Sequence, residues 1–331
     1  MIEVIKHNDL SDAEAAVYDR QIRLWGLDSQ KRLRHASVLL VTMNGFSGEI
    51  AKNIILAGVK SVTFLDHRNS VQEDIHTQFL IDSDQIGKNK AVAWLKKANK
   101  LNPLVNIKAD TDNVDDKEDS FFGEFDIVCV TGCTITQMKR INRICRDYDV
   151  KFFAGDVWGS FGYTFADLNT HEFLEEVIQT KKSKQGEGDE PETKKQKFDK
   201  VVISLKMTDT FVPFEKAISN QILSSDSAEF YIMLAMLNFR EKHKRDPESG
   251  DKPKMLLKKE MDAVVKNHEL NFTLDDLVTE DLYGQVSPSC AIVGGIMAQE
   301  IIKTIAQNGR PHNNLFVFNP VTMIGQVLKL Q

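Results

Sequence analysis

Two arginines in one short segment have the chemistry best suited to binding phosphate. Arg20 and Arg23 lie in the run Tyr18-Asp19-Arg20-Gln21-Ile22-Arg23-Leu24-Trp25-Gly26. A guanidinium is planar and always charged, so it can donate two hydrogen bonds to one phosphate group. Leu24 and Trp25 beside it could hold it rigidly at a subunit interface. The same pattern is also typical of an ordinary helix with its arginines in water, and the pattern alone does not separate the two.

A second candidate site is an incomplete dinucleotide-binding loop. Gly45 and Gly48 remain of the usual G-x-G-x-x-G pattern, but Thr42 stands where the first glycine is expected and Ser47 lies within the loop. Glycines in such a loop let backbone amides approach phosphate at a helix N-terminus. Asp66 lies at about the distance along the chain at which a carboxylate binds a ribose hydroxyl. Asp66 could equally cap a turn.

The elements that would position these residues alternate between strand and helix. Residues 36–41 and 61–66 are predicted strands, and the segment 49–57 between them has apolar residues at helical spacing. The cycle continues with the predicted helices 88–102 and 135–148 and the predicted strands 125–131, 150–154, 314–318 and 325–330. This alternation predicts an α/β fold with a doubly wound, mostly parallel sheet of the Rossmann-like type.

Composition limits the classes of partner. The chain has 331 residues, 42% of them hydrophobic, and a net charge of -6 with a pI near 5.8. No basic field is available for nucleic acid, and no apolar run is expected to reach the roughly 18 residues of a membrane span. Four cysteines without a C-x-x-C pair predict reduced, buried thiols and no metal site.

The middle of the chain predicts a change of organisation. Residues 181–200 are highly charged and poor in apolar residues, which is typical of a flexible linker. A small, mainly helical insert is predicted over 201–284, between a dinucleotide-binding-type domain at 1–180 and its completion at 285–331. The insert has no cysteine between Cys145 and Cys290. It therefore has no thiol that could act as a nucleophile.

Several separated motifs, in order along nearly the whole chain, resemble the small subunits of SUMO-activating enzymes. This family consists of non-catalytic adenylation halves in the enzymes that activate ubiquitin-like proteins. The matching segments are residues 18–26, 45–53, 78–80, 151–159, 293–295, 298–300 and 311–314. The resemblance implies a pseudo-symmetric heterodimer in which a larger catalytic subunit binds ATP and magnesium, adenylates the C-terminus of SUMO and transfers SUMO to its own cysteine.

The resemblance also implies that this half has lost its own nucleotide site. Thr77 occupies the place of an arginine that binds phosphate in active halves, and the run 130–133 lacks their magnesium-binding aspartate. Lys90 matches the family's phosphate-binding lysine, but without these partners we interpret it as a solvated helix lysine. Gly45, Gly48, Asp66 and Lys90 are thus expected to be vestiges, with no cofactor or metal bound by this chain.

Arg20 matches the family's arginine that crosses the interface to the ATP phosphates of the partner. The resemblance therefore implies a catalytic role for Arg20 in trans, with Arg23, Leu24 and Trp25 packed at the interface. Alternatively, Arg23, Leu24 and Trp25 fasten the N-terminal segment onto its own sheet. Cys290 superficially resembles the thioester cysteine of catalytic subunits, but it runs into a helix of small residues and is expected to be a buried thiol.

Three functions are compatible with these features. The first is the non-catalytic subunit just described, in the nucleus or also in the cytoplasm, with the basic run 194–197 either an import signal or only a solubilising segment. The second is an NAD-dependent oxidoreductase, which the strand-turn-helix and Asp66 alone would permit. The third is a homodimeric adenylating enzyme for a sulfur carrier. The incomplete glycine loop disfavours the second, and the missing metal carboxylate disfavours the third.

Overall fold

The computed structural model describes residues 10–182, 198–219, 228–248, 250–274, 282–319 and 324–331. The helices are α1 Asp12–Val17, α2 Asp19–Trp25, α3 Leu27–His35, α4 Gly45–Ala57, α5 Asp74–Thr77, α6 Lys90–Leu101, α7 Asp119–Phe122, α8 Ile135–Asp147, α9 Phe214–Ile218, α10 Ala228–His243, α11 Asp251–Asn267 and α12 Ser287–Ala306. The strands are β1 Ser37–Val41, β2 Ser61–Leu65, β3 Asn106–Asp110, β4 Ile127–Thr131, β5 Lys151–Trp158, β6 Phe161–Asp167, β7 Thr170–Lys182, β8 Phe198–Thr210, β9 Leu315–Asn319 and β10 Ile324–Leu328.

Eight strands form one twisted sheet in the order β10-β9-β6-β5-β4-β1-β2-β3. Strands β3, β2, β1, β4 and β5 are parallel, and β6, β9 and β10 extend the sheet with antiparallel pairs. Apolar runs such as Val38 to Val41 are buried because helices cover both faces of the parallel part. The predicted α/β, doubly wound fold is confirmed.

The N-terminal helices are fastened to the C-terminal end of α4. Ser11 and Glu14 form a capping box that begins α1. The buried Tyr18 hydroxyl accepts a hydrogen bond from Asn102 Nδ2 at 2.8 Å, and its ring packs on Gly58, where a Cβ would lie 2.5 Å from the ring. Gly58 also ends α4 with a φ of 84°, so two constraints favour glycine there. Tyr18 thereby fixes the position of α2.

The helices after residue 210 pack on the sheet itself. Helix α10 contacts α8, α11 and β9, and its buried side chains lie in one core cluster with those of the sheet. Strands β7 and β8 form a separate antiparallel hairpin that includes residues 181–182 and 198–200, where the sequence predicts a flexible linker. Strand residues 201–210 likewise begin the segment predicted as mainly helical. Residues 183–197, with the predicted import signal at 194–197, lie outside the described residues.

Helix α12 corrects one expectation from composition. Its 20 residues are long and apolar enough to cross a membrane by length and composition, whereas the sequence pattern predicts no such run. Its buried residues, among them Val293, Met297 and Ile301, share a core cluster with Phe46 and Ile50 of α4. This helix is therefore part of the packed core of the protein.

The close approach of α12 to α4 gives a stability prediction with an internal control. A Cβ on Gly294 would lie 2.8 Å from Glu49 Cβ and 3.2 Å from the Phe46 carbonyl oxygen. A Cβ on Gly295 would have no described atom within 4 Å. We expect Gly294→Ala to lower the free energy of unfolding by about 1–3 kcal/mol through overpacking. Gly295→Ala should raise it by about 0.5–1 kcal/mol because alanine favours helix. Urea denaturation of the two variants checks both signs, and equal effects would contradict the packing argument.

Candidate functional site

The candidate site is a cleft of about 540 Å³ at the carboxyl ends of β1, β2 and β4. In the sheet, β1 lies between β2 and β4. The chain adds β2 and β3 on one side of β1 and then β4 and β5 on the other side. Doubly wound folds bind their ligands at this point. The predicted Asp66 and Lys90 line the cleft, whereas the predicted Gly45 and Gly48 do not. Other lining residues are Thr42, Asn44, Arg68, Gly132, Arg240 and Gln285.

The N-terminus of α4 points into this region and its amides are already hydrogen bonded. Asn44 and Ser47 form a capping box, with Ser47 N donating to Asn44 Oδ1 at 2.9 Å. Gly45 N and Phe46 N both donate to Gln285 Oε1, at 2.8 and 3.3 Å. The amides that could bind a phosphate therefore bind side chains of this protein instead.

The two glycines of the loop differ in their roles. A Cβ on Gly45 would lie 2.5 Å from the Thr77 carbonyl oxygen and 3.0 Å from Gln285 Oε1, so glycine is needed for close packing. A Cβ on Gly48 would lie 3.6 Å from the Trp94 ring, which is ordinary contact. Both glycines lie inside α4 and are buried. Their surroundings are protein atoms rather than an open loop.

Asp66 is held by a neighbour that the sequence analysis missed. Its carboxylate accepts hydrogen bonds from Arg68 Nε at 2.9 Å and Arg68 Nη2 at 2.7 Å, and from Met43 N at 2.7 Å. Burial raises the pKa of Asp66, but the hydrogen bonds and charge of Arg68 outweigh it, so the pKa is lowered overall. The carboxylate stays ionised and its oxygens are engaged. The local run Asp66-His67-Arg68 was the available signal.

Lys90 is not the solvated lysine that the sequence pattern predicts. Its side chain is buried, and Nζ lies 2.7 Å from Asp74 Oδ1, whose side chain is equally buried. Its own backbone N–H donates to the Arg68 carbonyl oxygen. Asn89 caps α6 and also donates to the Asp66 carbonyl oxygen at 2.6 Å, which holds the first turn of α6 at the cleft. The correction follows from tertiary contacts that helical periodicity does not report.

A buried charge cluster at the cleft was also missed. Arg240 Nη1 lies 2.6 Å from Asp156 Oδ2, and its Nε and Nη2 donate to Asp246 at 2.8 and 2.9 Å. Trp158 Nε1 donates to Asp246 at 3.1 Å and its ring lies under the guanidinium. Burial raises the pKa of Asp156 to about 6, although the Arg240 charge lowers it. This cluster joins β5 to the end of α10.

The end of β4 is occupied by hydroxyl and backbone groups. Thr131 Oγ1 donates to the Thr42 carbonyl oxygen at 3.0 Å and accepts from Asn44 Nδ2 at 3.2 Å. Gly132 N donates to Asp156 Oδ1 at 2.9 Å. Among the residues that the structure describes, no group of three or more His, Cys, Asp or Glu side chains is arranged to hold a metal ion.

Comparison with known proteins assigns this architecture. The family model described as "ThiF family" matches residues 18–331. The chain belongs to the ThiF family. Curated relatives named SUMO-activating enzyme subunit 1 are 42% identical in Xenopus tropicalis and 43% in Bos taurus, each match covering 94% of this chain and 94% and 93% of the relative. The protein of that name from Homo sapiens is 42% identical over 94% of this chain and 93% of its own. The resemblance predicted from the motifs is confirmed.

A solved structure also shares the fold of this ThiF-family chain. The crystal structure of PaaA, in its selenomethionine form, superimposes with a TM-score of 0.59 and covers 100% of this chain and 77% of its own. Its sequence is only 15% identical, so the likeness concerns the fold alone.

The arginine segment of this ThiF-family chain lies far from its own cleft. Helix α2 carries no buried residue, and Gln21 Nε2 donates to the carbonyl oxygen of Leu56 near the C-terminal end of α4. The cleft lies at the opposite end of α4, about 20 Å away for a 13-residue helix. Arg20 is exposed, and its guanidinium has no hydrogen bond or ion pair within the described part of the chain. Arg20 therefore cannot serve the cleft of its own chain.

The three predicted interface residues do not behave alike. Leu24 is 79% exposed, and Arg23 is exposed with Nε 3.1 Å from the Asp19 carboxylate. Trp25 is half-buried: its Nε1 donates to Gln30 Oε1 at 3.2 Å, and its carbonyl oxygen accepts from Asn308 Nδ2. Trp25 fastens the segment to its own domain, as one of the two alternatives predicted. Arg23 and Leu24 remain available on the outer face.

All four cysteines are buried and reduced. Burial, assisted by Glu49, raises the pKa of Cys290 to about 12, and burial together with Asp156 raises that of Cys133 to about 12. Burial likewise raises the pKa of Cys129 and Cys145. Thiols protonated at neutral pH are poor nucleophiles, so the expectation of a buried Cys290 thiol is confirmed.

Proposed function

We propose that this chain is the non-catalytic subunit of a heterodimeric SUMO-activating enzyme. A larger catalytic subunit binds ATP and magnesium, adenylates the SUMO C-terminus and accepts SUMO on its own cysteine. This chain completes that site by placing the Arg20 guanidinium against the ATP phosphates of the partner. The names of the relatives support the SUMO-activating assignment, and the numbering in "subunit 1" supports a partner chain.

The main support for assigning catalysis to the larger subunit is that the polar groups of this chain's own cleft are already paired with one another. Gln285 accepts hydrogen bonds from the α4 amides. Arg68 forms an ion pair with Asp66, and Lys90 forms one with Asp74. A triphosphate carries several negative charges and needs a metal counter-ion and free donors to be held for attack at phosphorus. The groups that remain in this cleft are committed to one another. They do not fit a metal-bound triphosphate.

The placement of Arg20 supports its action in trans. It projects from an exposed helix whose inner side is fixed by Tyr18 and Trp25, so the guanidinium is presented on a rigid support. Rigid placement matters because a preorganised donor gains most where charge develops in the transition state. Exposed Val17, Leu24 and Leu27 beside it supply apolar surface for a partner subunit.

The two other candidate functions have less support. A dinucleotide would need the α4 amides for its pyrophosphate and Asp66 for its ribose, and Gln285 and Arg68 occupy both. A homodimeric sulfur-carrier adenylating enzyme would need each chain to bind ATP. The same occupied cleft argues against that. We also propose nuclear residence, with cytoplasm as a second location, and no nucleic acid or membrane as a direct partner.

Reconstitution tests the proposal. Each purified chain alone, and the mixture with the larger subunit, would be assayed for SUMO-dependent ATP–pyrophosphate exchange and for SUMO thioester formation. We expect no exchange by this chain alone and full exchange by the mixture, with the thioester on the larger subunit only. Exchange by this chain alone would instead select the sulfur-carrier type of enzyme, and a nicotinamide cofactor bound to the purified chain would select an oxidoreductase.

A further inference from the structure

Gln285 makes the contact at the α4 N-terminus that a phosphate group makes in nucleotide-binding relatives of this fold. Its amide oxygen accepts from Gly45 N at 2.8 Å and from Phe46 N at 3.3 Å. An amide oxygen is partly negative, so it is a suitable substitute ligand at the positive end of a helix dipole. The contact joins residues 240 positions apart in the sequence.

The backbone around Gln285 is fixed as well as its side chain. Gly159 N donates to the Gly284 carbonyl oxygen at 2.8 Å, and Gly159 pairs with Gln285 as a parallel bridge. Helix α12 begins two residues later at Ser287 and packs along α4. The amide group is therefore held in place from both sides of the residue.

The space at this helix end is too small for both groups. A Cβ on Gly45 would already meet Gln285 Oε1 at 3.0 Å and the Thr77 carbonyl oxygen at 2.5 Å. The remaining first-turn donor, Ser47 N, is taken by Asn44. A phosphate oxygen could reach these amides only if the Gln285 side chain left.

A buried amide near the first turn of α4 is also unpaired. Gln78 is more than nine-tenths buried next to the first turn of α4, with its Cβ 3.8 Å from the position of a Cβ on Gly48. Neither its Oε1 nor its Nε2 has a hydrogen-bond partner among the described residues.

We propose that Gln285 is the residue that excludes nucleotide phosphates from this half, by acting as a built-in ligand of the α4 N-terminus. This rests on the proposed function, in which the cleft of this chain is not the adenylating one. Truncating the side chain at Cβ removes four heavy atoms and frees the Gly45 and Phe46 amides. Lys90 and Arg68 line the cleft together with Gln285. The cleft then accepts a phosphate group without any added residue.

The test compares Gln285→Ala with Gln285→Glu in the isolated, folded chain, using metal-free inorganic pyrophosphate as the probe. Titration calorimetry should show that the alanine variant binds pyrophosphate at least about tenfold more tightly than the wild type. The glutamate variant keeps an oxygen at the same reach and adds a negative charge. It should bind no better than the wild type.

Thermal unfolding gives a second readout. Pyrophosphate should raise the Tm of the alanine variant and leave those of the wild type and the glutamate variant unchanged, because only a ligand of the folded state stabilises it. Equal affinities in a folded alanine variant and the wild type would overturn the proposal, as would a gain in the glutamate variant. If the alanine variant does not fold, Gln285→Ser is judged by the same criteria. Failure of the proposed function appears separately, as exchange activity in the unmodified chain alone.

Discussion

Replacing Arg20 with alanine should lower SUMO-dependent ATP–pyrophosphate exchange by the reconstituted dimer by about 10²-fold or more. A guanidinium supplied from a second chain acts on charge that develops at phosphate, and its loss is not compensated by solvent in a closed site. Arg20 is exposed and without a partner in the described part of its own chain, so its removal costs this chain no folding contact that we observe. Dimerisation and the Tm of the isolated chain should stay unchanged.

Arg23→Ala is the matched control for this prediction. Arg23 lies on the same short helix and is exposed, but its Nε is already paired with Asp19 at 3.1 Å. At concentrations where both variants are fully dimeric, Arg23→Ala should exchange at close to the wild-type rate. Arg20→Lys separates charge from geometry, because lysine keeps the charge and loses the planar fork. An undiminished rate for Arg20→Ala in an intact dimer would refute the role in trans.

The sequence predicted four of the five parallel strands, β1, β2, β4 and β5, because these elements have strong local patterns. The apolar run ending at Val41 and the helical spacing from Ile50 to Ile55 correspond to β1 and α4. Strand β3, Asn106–Asp110, was missed because it is a polar edge strand with little burial. The hairpin β7–β8 was missed because its charged residues resemble those of a solvated linker.

The candidate site was predicted less completely than the fold because its key contacts are distant in sequence. Nothing local links Gln285 to Gly45, or Lys90 to Asp74 across 16 residues. A lysine at the start of a helix looks solvated until the fold shows a carboxylate buried beside it. Thr77 was read as a lost arginine, and the structure adds that its carbonyl oxygen packs against Gly45. The motifs thus indicated which phosphate-binding groups are missing, whereas only the folded structure shows which side chains replaced them.

Among the substitutions considered, removal of the Arg240 side chain should cause the largest loss in free energy of unfolding. Its side chain is 5% exposed and binds both Asp156 and Asp246, and its Nη1 also donates to the Cys133 carbonyl oxygen. Arg240→Met would leave Asp156 buried without its counter-ion, which typically costs about 3–5 kcal/mol in free energy of unfolding. Arg245→Met is the control, because Arg245 is exposed and its pair with Glu248 is a surface contact expected to be worth under about 1 kcal/mol.

The loss of unfolding free energy in Arg240→Met should depend on pH, and the buried Asp156 carboxyl determines the direction of that dependence. Burial raises the pKa of Asp156 to about 6 with Arg240 present, against 3.8 for an ordinary aspartate, and without Arg240 it should rise further. A raised folded-state pKa means that the folded chain holds the proton more tightly than the unfolded chain. The contribution of Asp156 to the free energy of unfolding is therefore largest below pH 3.8 and is lost as the pH rises through the folded-state pKa. The deficit of Arg240→Met relative to wild type should therefore be larger at pH 8 than at pH 5. Adding Asp156→Asn to Arg240→Met should remove the part of this pH dependence that Asp156 contributes, and a part from Asp246 should remain because Asp246 also loses Arg240. A deficit that is constant between pH 5 and pH 8 would mean that the lost stability comes from packing over Trp158 rather than from the unpaired charge.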